Sequence, residues 1–167
     1  MTETIVYTSK HGSTEAYAGM LSDRTGIPAY TLKEALKKLP SGRQIIYMGC
    51  VRADNVLDLD KAEKAFNVAA VCAVGMSKTG ENTDRIRKAS RISDSKAVFT
   101  MQGNYHPESL KGIDRLIMKM MSKVLIKQIN EKESPSEEDR MMVKLLTEGG
   151  DMVAEENLAA VLDWIKK

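Results

Sequence analysis

Apolar residues along this chain come in two rhythms that take turns. Short β-prone runs occur at Thr4–Thr8, Ile27–Leu32, Gln44–Val51, Val68–Val74 and Ala97–Met101. Between them lie segments whose apolar positions recur at intervals of three and four: Ser13 to about Thr25, residues 33–39, Asp58–Phe66 and Glu81–Ser90. The first of these carries Ala16, Tyr17, Met20 and Leu21. The runs around Ile45-Ile46-Tyr47-Met48 and Val68–Val74 are apolar at nearly every position, as strands buried on both faces must be. The intervening segments read as helices with one buried stripe. Gly26, Pro40-Ser41-Gly42 and Gly75 punctuate the pattern, supplying stops. At the far end, Asn157–Lys166 sets Leu158, Val161, Leu162 and Ile165 on one face, a closing helix. Strand and helix in alternation predict a parallel, doubly wound sheet with right-handed crossovers.

The alternation breaks between Tyr105 and Met152. There Ile113, Leu116, Ile117, Met120, Met121, Val124 and Leu125 form one apolar stripe, while Lys111, Arg115, Lys119, Lys123 and Lys127 recur every fourth residue along its flank. Six cations stand against three anions between Glu108 and Lys132. A basic amphipathic helix of this kind packs into a core, lies on a membrane surface or docks an anionic partner, and the pattern leaves all three open. Residues 110–129 are therefore a candidate peripheral membrane contact. Glu133–Asp139 then reads as an acidic loop, and Arg140–Thr147 as a further helix.

Length and composition add bounds. The chain has 167 residues, enough for one domain with a good core, here 1–167 with a helical insertion at 105–150. An apolar share of 43% beside 29% charged residues is that of a water-soluble globular protein. No run approaches the roughly 18 apolar residues of a membrane span, and Met1-Thr2-Glu3-Thr4 lacks leader character. A cytoplasmic address is expected, reaching the inner face of the membrane if residues 110–129 meet lipid. Cys50 and Cys72 both fall in strand-like runs, which argues against a disulfide framework and for small buried fillers. A net charge of +2 implies no nucleic-acid partner, and no metal is expected.

The candidate chemistry sits in loops. Ser9-Lys10-His11-Gly12-Ser13-Thr14 joins the first strand to the first helix, the geometry that aims backbone N–H groups at an anion. Ser9, Ser13 and Thr14 add hydroxyls, and Gly12 lets the backbone approach closely. The bland alternative is that Gly12 and Ser13 only cap the helix. The loop is neither a Walker loop nor a dinucleotide fingerprint, since both need further glycines. Ligands of doubly wound sheets sit outside the carboxyl ends of the strands. Residues 50–55 and 75–80 should therefore converge on the same place.

The segment Ile5–Ala18 resembles the first strand, phosphate loop and first helix of flavodoxins, whose loop reads Ser/Thr-x-Thr-Gly-x-Thr. Ser9, Gly12 and Thr14 match, and His11 stands where the usual threonine would be. The resemblance implies a flavodoxin-like α/β three-layer sandwich, with five parallel strands in the order 2-1-3-4-5 and a helical insertion after strand 5. It implies FMN as cofactor, with the phosphate on Ser9, Lys10, His11, Gly12, Ser13 and Thr14. The flavin ring would lie between Val51-Arg52-Ala53-Asp54 and Gly75-Met76-Ser77-Lys78-Thr79. Neither of those loops holds a Trp or Tyr to stack on the ring. Val51 and Met76 are the apolar candidates, and Arg52 and Lys78 are cations able to stabilise an anionic reduced flavin.

From Val98-Phe99 through Leu110-Lys111-Gly112-Ile113-Asp114-Arg115 and Ile117-Met118-Lys119-Met120 the chain is similar to flavodoxin-type, quinone-dependent protoporphyrinogen oxidases. That resemblance implies an oxidoreductase passing electrons to a quinone. The alternative is an electron-transfer protein that docks a redox partner protein and does no substrate chemistry. No catalytic acid or base is assigned, because neither His11 nor His106 is placed to be one.

Overall fold

A computed structural model describes residues 4–167, so Met1–Glu3, part of the start read above for a leader, lie outside it. The chain divides into two compact units: the stretch up to Gly103 together with Val153–Lys167, and the insertion Asn104–Met152.

The first unit is built on strands β1 (Ile5–Thr8), β2 (Ala29–Thr31), β3 (Gln44–Arg52), β4 (Asn55–Val56), β5 (Asn67–Gly75) and β6 (Ala97–Gln102). Five of them run parallel in the order β2-β1-β3-β5-β6, the expected 2-1-3-4-5, while β4 folds back antiparallel on the end of β3. Helices α1 (Ser13–Thr25), α2 (Leu32–Lys38), α3 (Leu59–Ala65), α4 (Thr83–Ala89) and the terminal α7 (Ala159–Ile165) complete this unit.

Side-chain alternation divides its core in two. Ile45, Tyr47, Val71 and Ala73 pack on one face with Leu32, Ala35, Leu59, Ala62 and Ile86 of α2, α3 and α4. Ile46, Met48, Cys72 and Val74 pack on the other with Tyr17, Ala18, Leu21, Leu158 and Val161. Val68 and Ala70, two residues apart, nevertheless serve opposite cores, because the β3–β5 register slips between Ile45 and Ile46. Phe99 meets Trp164 edge-on at 6.2 Å between ring centroids, seating α7 on the sheet. Two filled faces with one central sheet make the three-layer sandwich that the alternating pattern predicts.

In the second unit α5 (Gly112–Asn130) packs against α6 (Glu137–Glu148). The acidic stretch read as a loop is partly helix: Ser136 caps α6, its Oγ accepting from Asp139 N at 3.1 Å. Asp139 in return accepts from Ser136 N at 2.9 Å and from Lys132 Nζ at 2.7 Å. The reciprocal pair is a capping box, and three acids in the first turn suit the positive end of the helix. In α5 the covered row is Met118, Ser122, Ile126 and Ile129. The sequence stripe is the other row: Ile113 is 70% exposed, Leu116 64%, Met120 65% and Val124 55%. Core packing, one of the three readings of that stripe, is thus not what it does within this unit.

Candidate functional site

At the carboxyl edge of the sheet β1 hands the chain to α1 through Ser9–Gly12. Gly12 is the N-cap residue, at φ 90°, and as glycine it brings no side chain of its own to cap the helix. Of the bland reading, capping by Gly12 and Ser13, the Gly12 part holds: Gly12 is the cap and Ser13 is the first residue of the helix. A Cβ on Gly12 would meet nothing within 4 Å, so the backbone opens onto free space there. Ser9 shapes the turn, its Oγ accepting from Gly12 N at 3.2 Å. Accepting leaves Ser9 its own proton to donate. Lys10 and His11 are exposed, Ser13 is half-buried, and Thr14 is only 1% exposed. The first turn of a 13-residue helix, capped by glycine and facing open space, concentrates backbone N–H groups and the positive end of the helix dipole.

The floor beneath this turn is tied down. The buried Tyr47 hydroxyl donates to Leu57 O at 2.7 Å and lies 2.9 Å from Thr8 Oγ1. Burial raises its phenol well above the usual range, so it stays a donor. Tyr17, also buried, donates to Gln102 O at 2.5 Å and accepts from Asn157 Nδ2 at 2.7 Å, joining α1 to β6 and to the closing segment. Just beyond β6, Gly103 allows a close approach. A Cβ there would stand 3.0 Å from Val74 Cγ1 and 3.1 Å from Ser13 Cβ and Oγ. The sequence reading missed Tyr17, Gln102, Gly103 and Asn157. A glycine directly after a strand, at the edge where ligands bind, was the available signal.

The second loop is a tight hairpin. Val51 pairs with Val56 and Arg52 with Asn55, leaving Ala53 and Asp54 as the turn, at φ 48° and 63°. Two left-handed residues match the twist of a two-residue hairpin, a conformation that aspartate tolerates and that strains Ala53. The strain is held by α4: Arg85 Nη2 meets Asp54 Oδ1 at 2.6 Å, and Ser90 Oγ accepts from Val56 N at 3.0 Å. Asp54 is thereby committed to Arg85, whose pKa it raises. Val51 is half-buried, its Cβ placed 3.3 Å from where a Cβ of Gly75 would fall.

The third loop is stitched to β6. Gly103 N donates to Gly75 O at 2.7 Å, Gln102 Nε2 to Met76 O at 3.1 Å and Gln102 N to Thr79 Oγ1 at 3.1 Å. Thr79 in turn donates to Asn157 Oδ1 at 2.7 Å, and Ser77 accepts from Asn82 Nδ2 at 2.8 Å. Thr79 and Ser77 thus fix the loop itself. Met76 is half-buried and Lys78 exposed. Between the hairpin and this loop the enclosed space is only about 40 Å³, lined by Val51, Gly75, Met76, Thr100 and Ile86 among others. That volume suits a water molecule, and the buried Thr100 Oγ1 beside it has no protein partner. On the β2 side of the turn a groove of about 520 Å³ runs past Ser9, with Tyr7 and Leu36 in it and Lys33, Lys37 and Lys61 at its rim.

Burial disfavours the thiolate form of both cysteines. Burial pushes the Cys72 thiol up to about 12, and it raises Cys50 against the opposing pull of Lys10. Among the described residues no helix is long and apolar enough to cross a membrane.

The geometry thus brings residues 9–14, 51–54 and 75–79 to one edge of the sheet, as the spacing of the strands predicts. The chain matches no curated protein and no solved structure. A family model described as flavodoxin domain matches residues 4–132, more than half of the chain. Such domains typically bind flavin. With the 2-1-3-4-5 sheet and that match together, this chain belongs to the flavodoxin domain family.

Proposed function

We propose that this chain is an FMN-binding redox protein that holds the cofactor's phosphate on residues 9–14. The observation that supports the reading is the start of α1: a glycine N-cap at φ 90°, with no side chain of its own and open space above it. A phosphate monoester carries close to two negative charges and accepts several hydrogen bonds, which this turn is built to give. Ser9 and Ser13 would add hydroxyl donors, with Lys10 and His11 at the rim. Val51 of the hairpin and Met76 of the third loop would contact the ring, with Arg52 and Lys78 near its polar edge. Bound flavin supplies the electron chemistry. The protein's part is to hold it, orient it and set the field around it.

The test is uptake of flavin by the purified chain. FMN should bind and give a yellow protein, and riboflavin, lacking the phosphate, should bind about 100-fold more weakly or worse. Two charge-assisted hydrogen bonds at about 1.5 kcal/mol each account for that ratio. Equal affinity for the two ligands, or no uptake of either, refutes the phosphate grip.

The finer reading is an oxidoreductase of the protoporphyrinogen-oxidase type that delivers electrons to a quinone. It rests on the resemblance between Val98 and Met120. Oxidation of protoporphyrinogen by the FMN-loaded protein, faster with a quinone present, would support it. A loaded protein inert toward porphyrinogen but reduced by a flavodoxin reductase would instead be a carrier that docks a redox partner protein.

A further inference from the structure

We propose that α5 lies on an anionic lipid surface, with its apolar row in the acyl boundary and its lysines against the headgroups. On a 3.6-residue wheel the exposed row (Ile113, Leu116, Ile117, Met120, Met121, Val124, Leu125) and the covered row (Met118, Ser122, Ile126, Ile129) are centred roughly 145° apart. α6, packed on α5, therefore lies away from the exposed row, and the acidic start of α6 lies with it. Seven adjacent apolar side chains, each at least 38% exposed, line one face of a 19-residue helix. Exposed apolar surface of that continuity marks a docking face rather than scattered surface residues.

Charge decides the occupant. Arg115, Lys119, Lys123 and Lys127 fall four apart and are all exposed; advancing about 40° per step, they pass from the far side of the helix at Arg115, through Lys119, to the margin of the apolar face at Lys123 and Lys127. Long cationic side chains beside an apolar stripe reach up to phosphates while their stems stay in the boundary. A second copy of this chain fits less well. The face carries no row of acids that a second copy could bring to these lysines. The two methionines of the stripe, Met120 and Met121, adapt to a fluid surface. The helix carries too much charge to cross the bilayer, so it would lie in the interface. This inference concerns the second unit alone and is independent of flavin binding.

The experiment is flotation of the full chain with vesicles of phosphatidylcholine alone and with about one third phosphatidylglycerol. Binding is expected only to the anionic vesicles and should weaken as salt is raised. The double variant Lys123→Gln/Lys127→Gln should bind roughly 25-fold more weakly, about five-fold per lysine removed. Leu116→Glu with Met120→Glu should abolish flotation while leaving the circular dichroism spectrum unchanged, because both side chains already face water. Equal binding to both vesicle types, or no flotation, overturns the proposal. So does a concentration-dependent dimer that Leu116→Glu dissociates in the absence of vesicle binding, which would identify a second copy as the occupant.

Discussion

Replacing Gly12 by alanine puts the central turn under a defined load. Gly12 sits at φ 90°, and a Cβ there meets no atom within 4 Å. The penalty is therefore conformational and not steric. Holding an L-residue in the left-handed region costs about 1–2 kcal/mol. The protein has two ways to respond. It can keep the turn and lose that free energy as stability, roughly 2–8 °C in Tm for a chain of this size. Or it can relax Gly12 to negative φ, which breaks the 3.2 Å bond from its N–H to Ser9 and re-aims the first turn of α1. FMN binding then weakens instead. The sum of the two losses should equal about 1–2 kcal/mol, a factor of 5–30 shared between folding and binding. Urea denaturation gives the first share, and quenching of flavin fluorescence on titration gives the second. Gly12→Asn, a side chain that tolerates positive φ better, should lose less in total than Gly12→Ala. If Gly12→Ala matches the parent protein in both measurements, or if asparagine harms as much as alanine, the account of this turn is wrong.

Three further outcomes are expected. Gly49→Ala would set a Cβ 2.6 Å from Val56 Cγ1 and 3.1 Å from both Leu57 O and Tyr47 Cε1, costing about 1–3 kcal/mol in urea denaturation; Val56→Ala should recover part of it, and simple additivity would count against the clash. Tyr17→Phe leaves Gln102 O and Asn157 without their shared partner and should cost about 1–3 kcal/mol in the same assay, so an unchanged midpoint would dismiss that junction. For Asp139, the bond from Lys132, then that from the Ser136 backbone, lowers the carboxyl pKa below its ordinary 3.8, so its contribution is full above that value and is lost as pH falls through the lowered one. Helicity followed by circular dichroism through acid titration should fall at a higher pH in Lys132→Gln than in the parent protein, and coincident curves would contradict the sign.

The sheet was legible because its signal is redundant. Ile45–Met48 and Val68–Val74 are apolar on both faces, and the segments between them carry helical spacing, so pattern and topology agree. The phosphate-loop region was legible as strand, polar turn and helix. The hairpin at Ala53-Asp54 was not, since Ala-Asp lacks the Asn-Gly signature of a turn with two left-handed residues. What holds it, Arg85 and Ser90, lies more than 30 residues away in sequence. The start of α6 was hidden for a different reason. Acidic residues after a proline look like a loop until Ser136 and Asp139 are read together as a capping box. In α5 the periodicity picked out the apolar stripe but could not say which face of the helix a second helix would cover. That choice depends on α6, whose partner a wheel diagram does not contain.

The insertion enters and leaves through a single doorway. Tyr105 and Gly150 exchange backbone bonds of 2.9 and 2.7 Å, and Asn104 Oδ1 accepts from Met152 N at 2.7 Å, so the two chain crossings run side by side. A segment spliced in at such a neck can be lengthened, exchanged or dropped without rerouting a strand or reopening a hydrophobic layer. The flavodoxin sheet and the helical pair are thus free to diverge separately, the first under the demands of its two packed cores and the second under those of its own helix pair.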